Sequence, residues 1–451
     1  MRILIKGAIF ALVLPCLSAT TLCVAQDEYA RPPINYGSTE ADDPVARLAT
    51  RIERGEVELE YDAKFGYLKS VLDELDILVS SQTLVFSKTS LQLHRISPRR
   101  PRALYFNDDV YVGYCQKGDV LEIAATDSKL GAVFYTIDQN QNRQSNSETG
   151  NDVQPKLERD RGSCLTCHAS TRTQKVPGYL VRSVFPDAAG RPELSNGTFV
   201  TDHTSEFRER WGGWYVSGEH GSMRHMGNVI SRGDAEEFDR EAGANDCDLS
   251  DNFGTGAYLT SHSDIVALMV LEHQTQMHNA LAAANYETRR ALYQSYEMNK
   301  LLDRPENYIS DSARRRIDRS IDRILRYLLF ADEFDLTDKV RGTSGFTEEF
   351  QSGGPRDSRG RSLRELDLAT RLMKYPCSYL IYSDAFHGLP DEIRVPTLQR
   401  LREILLDQNA ADLGGSESTS EAKRDYAHLD PECRRAIFEI LSETHSEFAS
   451  L

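Results

Sequence analysis

Past its first twenty-five residues the chain has no apolar run long enough to cross a bilayer, which takes about 20 residues, so no membrane span is expected after that point. Blocks of basic charge are missing too. Lys and Arg total 53 against 69 Asp and Glu, a formal charge of −16. Such a surface argues against nucleic acid and anionic lipid as partners and favours basic or neutral ones. No second Cys or His pair stands at metal-site spacing, and no βαβ pattern surrounds the cysteines, so neither a zinc site nor a thioredoxin-like dithiol is supported. Internal repeats are absent, and the only two tryptophans are Trp211 and Trp214.

The N-terminus has its own pattern. Arg2 and Lys6 precede an apolar run from Ala8 to Leu17, and small residues end at Cys23-Val24-Ala25 before the polar Gln26-Asp27-Glu28. That order predicts a secretory signal peptide over residues 1–25. Its removal takes away two basic and no acidic side chains, so −16 becomes −18.

The chain's most specific signal is Cys164-Leu165-Thr166-Cys167-His168, a C-x-x-C-H run. Two thiols three positions apart can each add to a haem vinyl group, and the histidine after them is then held beneath the iron as an axial ligand. One such run predicts one covalent haem c on Cys164 and Cys167, with His168 on the metal. Covalent haem of this kind is attached outside the bacterial inner membrane, so motif and export signal agree, and the periplasm is the expected location.

Eight cysteines fall to six after cleavage. Cys115, Cys247, Cys377 and Cys433 are left over, open to two disulfides in any of three pairings or to four free thiols.

Patterning predicts a mainly α chain with a smaller antiparallel β part, and the resemblance of residues 164–168 to the c-type attachment motif implies a cytochrome-c-like haem region embedded in a larger helical protein. A flexible lead-in occupies residues 26–44. Two helices and a small β region follow over 45–150, the strands falling near 82–86, 103–106, 110–114, 120–124 and 132–137. A polar loop over 138–162 leads into a haem-binding region at 151–260. A helical C-terminal region spans 261–451, with helices expected over 263–302 (capped by Ser263), 312–330, 362–373, 395–406 and 431–443, and a mobile stretch at 412–421.

Candidate iron ligands cluster at and after the motif: His168, His203, His220 and His225, then His262, His273 and His278. For the sixth position Met226 is expected first, His225 next and His273 third, although a lone histidine on an apolar helix face is more often a hydrogen-bonded core residue. The run Arg210-Trp211-Gly212-Gly213-Trp214-Tyr215 reads either as aromatic lining of a haem edge, with Trp211 and Trp214 on the cofactor, or as an aromatic core turn. Arg208, Arg210 and Arg224 read either as partners for haem propionates or as solvated charges.

Residues 164–168 resemble the attachment motif of c-type cytochromes. Together with Arg-Trp-Gly-Gly-Trp-Tyr, His-Gly and Arg-His-Met-Gly-Asn downstream, the stretch from about residue 80 to 390 resembles large exported bacterial proteins known only as cytochrome-c-domain proteins, which brings no assigned reaction. The motif resemblance implies single-electron transfer with a redox partner protein. The 283 residues after His168 (451 − 168) exceed what a compact shuttle needs. Two other readings therefore stay open: a peroxidase- or oxidase-like haem enzyme acting on a small-molecule substrate, and a haem-based sensor or binding protein.

Overall fold

The structure, a computed structural model, describes residues 28–139, 154–233, 235–406 and 426–451. The expected signal peptide, most of the expected polar loop and the 412–421 stretch lie outside these residues.

A seven-stranded antiparallel sheet organises the chain. Its strands are β1 (Thr83–Val85), β2 (Arg102–Phe106), β3 (Val110–Cys115), β4 (Val120–Asp127), β5 (Gly131–Asp138), β6 (Leu157–Arg159) and β9 (Trp214–Tyr215), in the order β6-β5-β4-β3-β2-β1-β9. Strands β1 to β5 form from β-branched and aromatic segments between turn residues, and one face of the sheet is completely buried: Leu121, Ile123 and Ala125 on β4 are each no more than 2% exposed. A second, two-stranded sheet pairs β7 (Arg182–Val184) with β8 (Thr198–Val200).

These findings correct the expectation of a mainly helical chain. Helix makes up 39% and strand 14%, with ten helices among the described residues, so the fold is mixed α/β around a sheet. The sheet was underestimated because its two edge strands, of three and two residues, are too short to show a period; only pairing with distant chain defines them.

The first helices, α1 (Pro44–Glu53) and α2 (Leu68–Glu74), pack Val45, Leu48, Leu68 and Val71 into the main core. A short turn of helix, α3 (Leu165–His168), carries the cysteine motif. The long helix α4 (Ile265–Leu301) has 37 residues, about 55 Å at 1.5 Å per residue. From Ile265 to Tyr286 every residue of α4 is buried, so it is a central spine and its polar residues must find partners inside the protein. Gln274 donates to the Asn107 carbonyl and to the Tyr111 hydroxyl, and Asn285 donates to the carbonyls of Ser128 and Gly388. Helix α5 (Asp311–Leu328) lays Ile317, Ile321, Ile324 and Leu328 against that spine.

Three local expectations are also corrected. The cap of α4 is Asp264, whose carboxylate accepts from Val266 N and Ala267 N; Ser263 instead accepts from Leu84 N and donates to the Tyr215 carbonyl, joining helix start to sheet. Residues 362–373 form turns with a bridge between Leu366 and Met373, not a helix, and Leu368 has φ +60°, which no helix accommodates. From Glu28 onward the lead-in is tied down: Ile34 is fully buried, the Tyr36 hydroxyl donates to the Ala132 carbonyl, and Arg159 donates to the carbonyls of Tyr36 and Thr39.

Candidate haem-attachment site

The approach to the motif is shaped by Asp160, next after edge strand β6. Its carboxylate accepts from the amides of Gly162, Ser163 and Cys164 at 3.0, 3.2 and 3.0 Å. Burial pushes this carboxyl up, but the three amide donors outweigh it and hold the group below the usual carboxylate range. The turn delivers Cys164 to the start of α3. Leu165 is buried in the core and anchors the turn, Cys164 is half-buried and Cys167 is exposed. Both cysteines are free thiols.

His168 is held by a two-point clamp. The Gly178 amide donates to the His168 carbonyl at 2.8 Å, and the His168 Nδ1 lies 2.9 Å from the Gly178 carbonyl oxygen. A carbonyl can only accept, so the imidazole proton is on Nδ1 and the lone pair is on Nε2. Burial lowers the pKa of this ring, outweighing the opposite pull of the Gly178 carbonyl, and so favours the neutral, ligating form. Its ring stands on Phe134 of β5, centroids 4.9 Å apart. Gly178 is required by close approach: a Cβ there would come within 2.2 Å of Asn279 Oδ1. From α4, Asn279 accepts from Tyr179 N and donates to the Tyr179 carbonyl, each at 2.8 Å. The central helix thus positions the loop that orients the histidine.

This arrangement suits a covalent tetrapyrrole better than the other chemistries of two thiols and an imidazole. A redox dithiol needs an easily formed thiolate, whereas burial, reinforced by Asp160, pushes Cys164 up to about 12. A metal cage needs further ligands, and among the described residues no three His, Cys, Asp or Glu side chains converge on one point. Cys164 and Cys167 could hold a haem through thioethers, with His168 Nε2 presented to its iron.

The structure does not bring the other candidates to that histidine. Among the described residues, Phe134 is the only ring packed on His168. Met226 is fully buried in a small cluster with Phe185, Val229 and Phe238, and its sulfur accepts from the Ser183 hydroxyl at 3.7 Å. His225 is buried beside His220, Trp211 and Phe207, and its Nδ1 accepts from Gly227 N. His273 bonds His203 through one ring nitrogen and Ser378 through the other, and stacks on Phe330. Trp211, fully buried, packs on Phe207, while Trp214 lies on β9 and donates to the Arg182 carbonyl. Arg210 pairs with buried Glu272 at 3.2 Å, and Arg224 pairs with Glu241.

Asp160, Phe134, Gly178 and Asn279 were not singled out as site residues from sequence. Only the Pro-Gly ten residues after the motif carried a usable signal, a conformational break close to the histidine.

No family model, curated protein or solved structure matches the chain. No helix among the described residues is long and apolar enough to cross a membrane.

Proposed function

We propose that the chain is an exported, periplasmic monohaem c-type cytochrome that passes single electrons to or from a redox partner. The clamp on His168 carries the reading: a neutral imidazole with Nδ1 committed to a backbone carbonyl and Nε2 left to ligate, on the same helical turn as two free cysteines, is what an axial haem ligand requires. Bound there, the haem would supply the one-electron chemistry. The chain's residues tether it through Cys164 and Cys167, fix the imidazole tautomer through Gly178, and support the ring against Phe134. The acidic surface favours a basic or neutral partner.

Acid-acetone extraction of the purified exported protein tests this. Haem should remain with the polypeptide in the unaltered chain and be lost when Cys164 and Cys167 are both replaced by Ala. Extractable haem, or none, in the unaltered protein would overturn the proposal.

A second reading, a haem enzyme or sensor with an open sixth position, is favoured by one observation: Met226, His225 and His273 are each committed to partners elsewhere in the fold. Carbon monoxide binding by the reduced protein separates the two, since a six-coordinate iron resists it and an open one takes it up.

A further inference from the structure

One face of the large sheet is covered over only part of its width. Strand register sets Ala124 opposite Phe134, Glu122 opposite both Thr136 and Gly113, and Gly113 opposite Leu104, so these six residues share a face. At one end of that face Tyr179 packs on Tyr111, ring centroids 4.4 Å apart, and closes it off. Beyond Phe134, on which His168 stands, the covering stops: Leu104, Ala124 and Thr136 are only half-buried. The residues there are small, and Gly113 lies directly under the Arg102 guanidinium, where a Cβ would meet Nη2 at 2.2 Å. Arg102 in turn pairs with Glu122 at 2.8 Å. A neighbouring loop is pinned to the same carboxylate by Ser90 and Gln92, at 2.8 and 3.1 Å, and between and beyond these anchors it carries Leu91 and Leu93, 55% and 51% exposed. Leu91 and Leu93, left to water beside the partly exposed Leu104 and Ala124, form an apolar patch around the ion pair, and contiguous exposed apolar surface of this kind marks a binding site.

We propose that this strip is the seat of the porphyrin: the haem bonded to Cys164 and Cys167 lies over Leu104, Ala124 and Thr136, borders Leu91 and Leu93, and has the Arg102–Glu122 pair as its nearest opposed charges. The proposal rests on the haem reading above. A tethered apolar disc can cover only surface contiguous with its tether, and Ala124 stands directly opposite Phe134, against which the His168 ring packs. Ferric haem carries one more positive charge than ferrous, so a nearby cation favours reduction and a nearby anion favours oxidation, more strongly at low local dielectric. Paired, the two largely cancel; removing one exposes the other.

Redox titration of the haem-loaded protein provides the test. Glu122→Gln should raise the midpoint potential, Arg102→Gln should lower it, and the double variant should return towards the unaltered value. Glu241→Gln, which breaks the exposed pair with Arg224, should leave it in place. Thr136→Trp should crowd the seat, altering the haem absorption bands and lowering the thermal stability of the loaded protein while leaving the thioethers intact. Should Arg102→Gln fail to fold, Glu122→Gln and Thr136→Trp still decide. Covalent haem whose potential ignores both charges, with an unperturbed spectrum in Thr136→Trp, would overturn the seat and leave attachment standing. The same holds if Thr136→Trp changes only the sedimentation mass, which would make the strip a contact between copies. Absence of covalent haem in the unaltered protein would instead remove the reading beneath.

Discussion

The Nδ1 of His168 lies 2.9 Å from the Gly178 carbonyl oxygen, while the Gly178 amide donates to the carbonyl of His168 itself. One glycine therefore holds both side chain and backbone of the histidine, and its position is set by Asn279 of the central helix, which grips the next residue by both backbone groups, together with Ala132, whose amide donates to the Pro177 carbonyl.

Asn279→Ala removes three buried hydrogen bonds, two to Tyr179 and one to Gln276 Oε1, and leaves the Tyr179 amide and carbonyl unpaired. A loss of about 2 to 4 kcal/mol is expected at roughly 1 to 3 kcal/mol per stranded group, allowing for partial relaxation. Denaturant unfolding of the purified protein measures it, and a loss below about 0.5 kcal/mol would mean the loop is held by other contacts.

Arg210 and Glu272 form a buried ion pair, 3% and 0% exposed, and Arg210 also donates to the carbonyls of His203 and Ser205. Burial pushes Glu272 up to about 7 despite the guanidinium beside it. Its folded pKa lies above the unfolded value, so the stability it contributes is fully present below about 4.5 and is lost as pH rises through about 7. Arg210→Met removes the cation that opposes this rise. The variant should be about 3 to 5 kcal/mol less stable near neutral pH, with a smaller deficit at pH 5 than at pH 8. Arg210→Met with Glu272→Met should recover most of the loss. Thermal melts across that range check both statements, and a deficit that shrinks with rising pH would refute the account.

His278 donates through Nε2 to the Asp108 carbonyl at 2.7 Å, and its Nδ1 has no partner. Burial lowers its pKa to about 4, against a weaker opposing pull from Asp108. A folded value below the unfolded 6.5 means that the stability tied to the neutral ring is present above pH 6.5 and lost as pH falls through about 4. His278→Gln keeps a donor but cannot titrate. Relative to the unaltered chain it should gain on the order of 3 kcal/mol between pH 7 and pH 4, since each pKa unit corresponds to about 1.4 kcal/mol. Parallel stability curves for the two proteins would count against it.

Met226→Leu conserves volume inside its cluster with Phe185, Val229 and Phe238, so it should cost less than about 1.5 kcal/mol. If the sulfur stays with Ser183 rather than the iron, the haem spectrum should not change, and the reduced protein should take up carbon monoxide with or without the substitution. Loss of a thioether charge-transfer band in the variant would instead place Met226 on the metal.

The sequence by itself determined what depends on local order along the chain. Five strands of the sheet follow from short β-branched and aromatic runs between turn residues. Helices α4, α5 and Pro431–Thr444 follow from helix formers and apolar spacing. The motif of Cys164, Cys167 and His168, on which the proposed attachment rests, is written in five adjacent positions, because two thiols and an imidazole on one turn need no distant partner to be recognised.

The tertiary structure decided whatever depends on residues far apart in sequence. Strands β6 and β9 exist only as partners of β5 and β1, and their three and two residues have no period of their own. The destinations of Met226, His225 and His273 could not be read from spacing, because a side chain's partner inside a core is set by packing: Ser183 and Met226 are 43 positions apart, His273 and Ser378 are 105. The clamp on His168 is half local and half not. Gly178 follows the histidine closely enough to be noticed, but the reason it must be glycine is Asn279, 101 positions further on (279 − 178), and only the folded chain puts that amide against it.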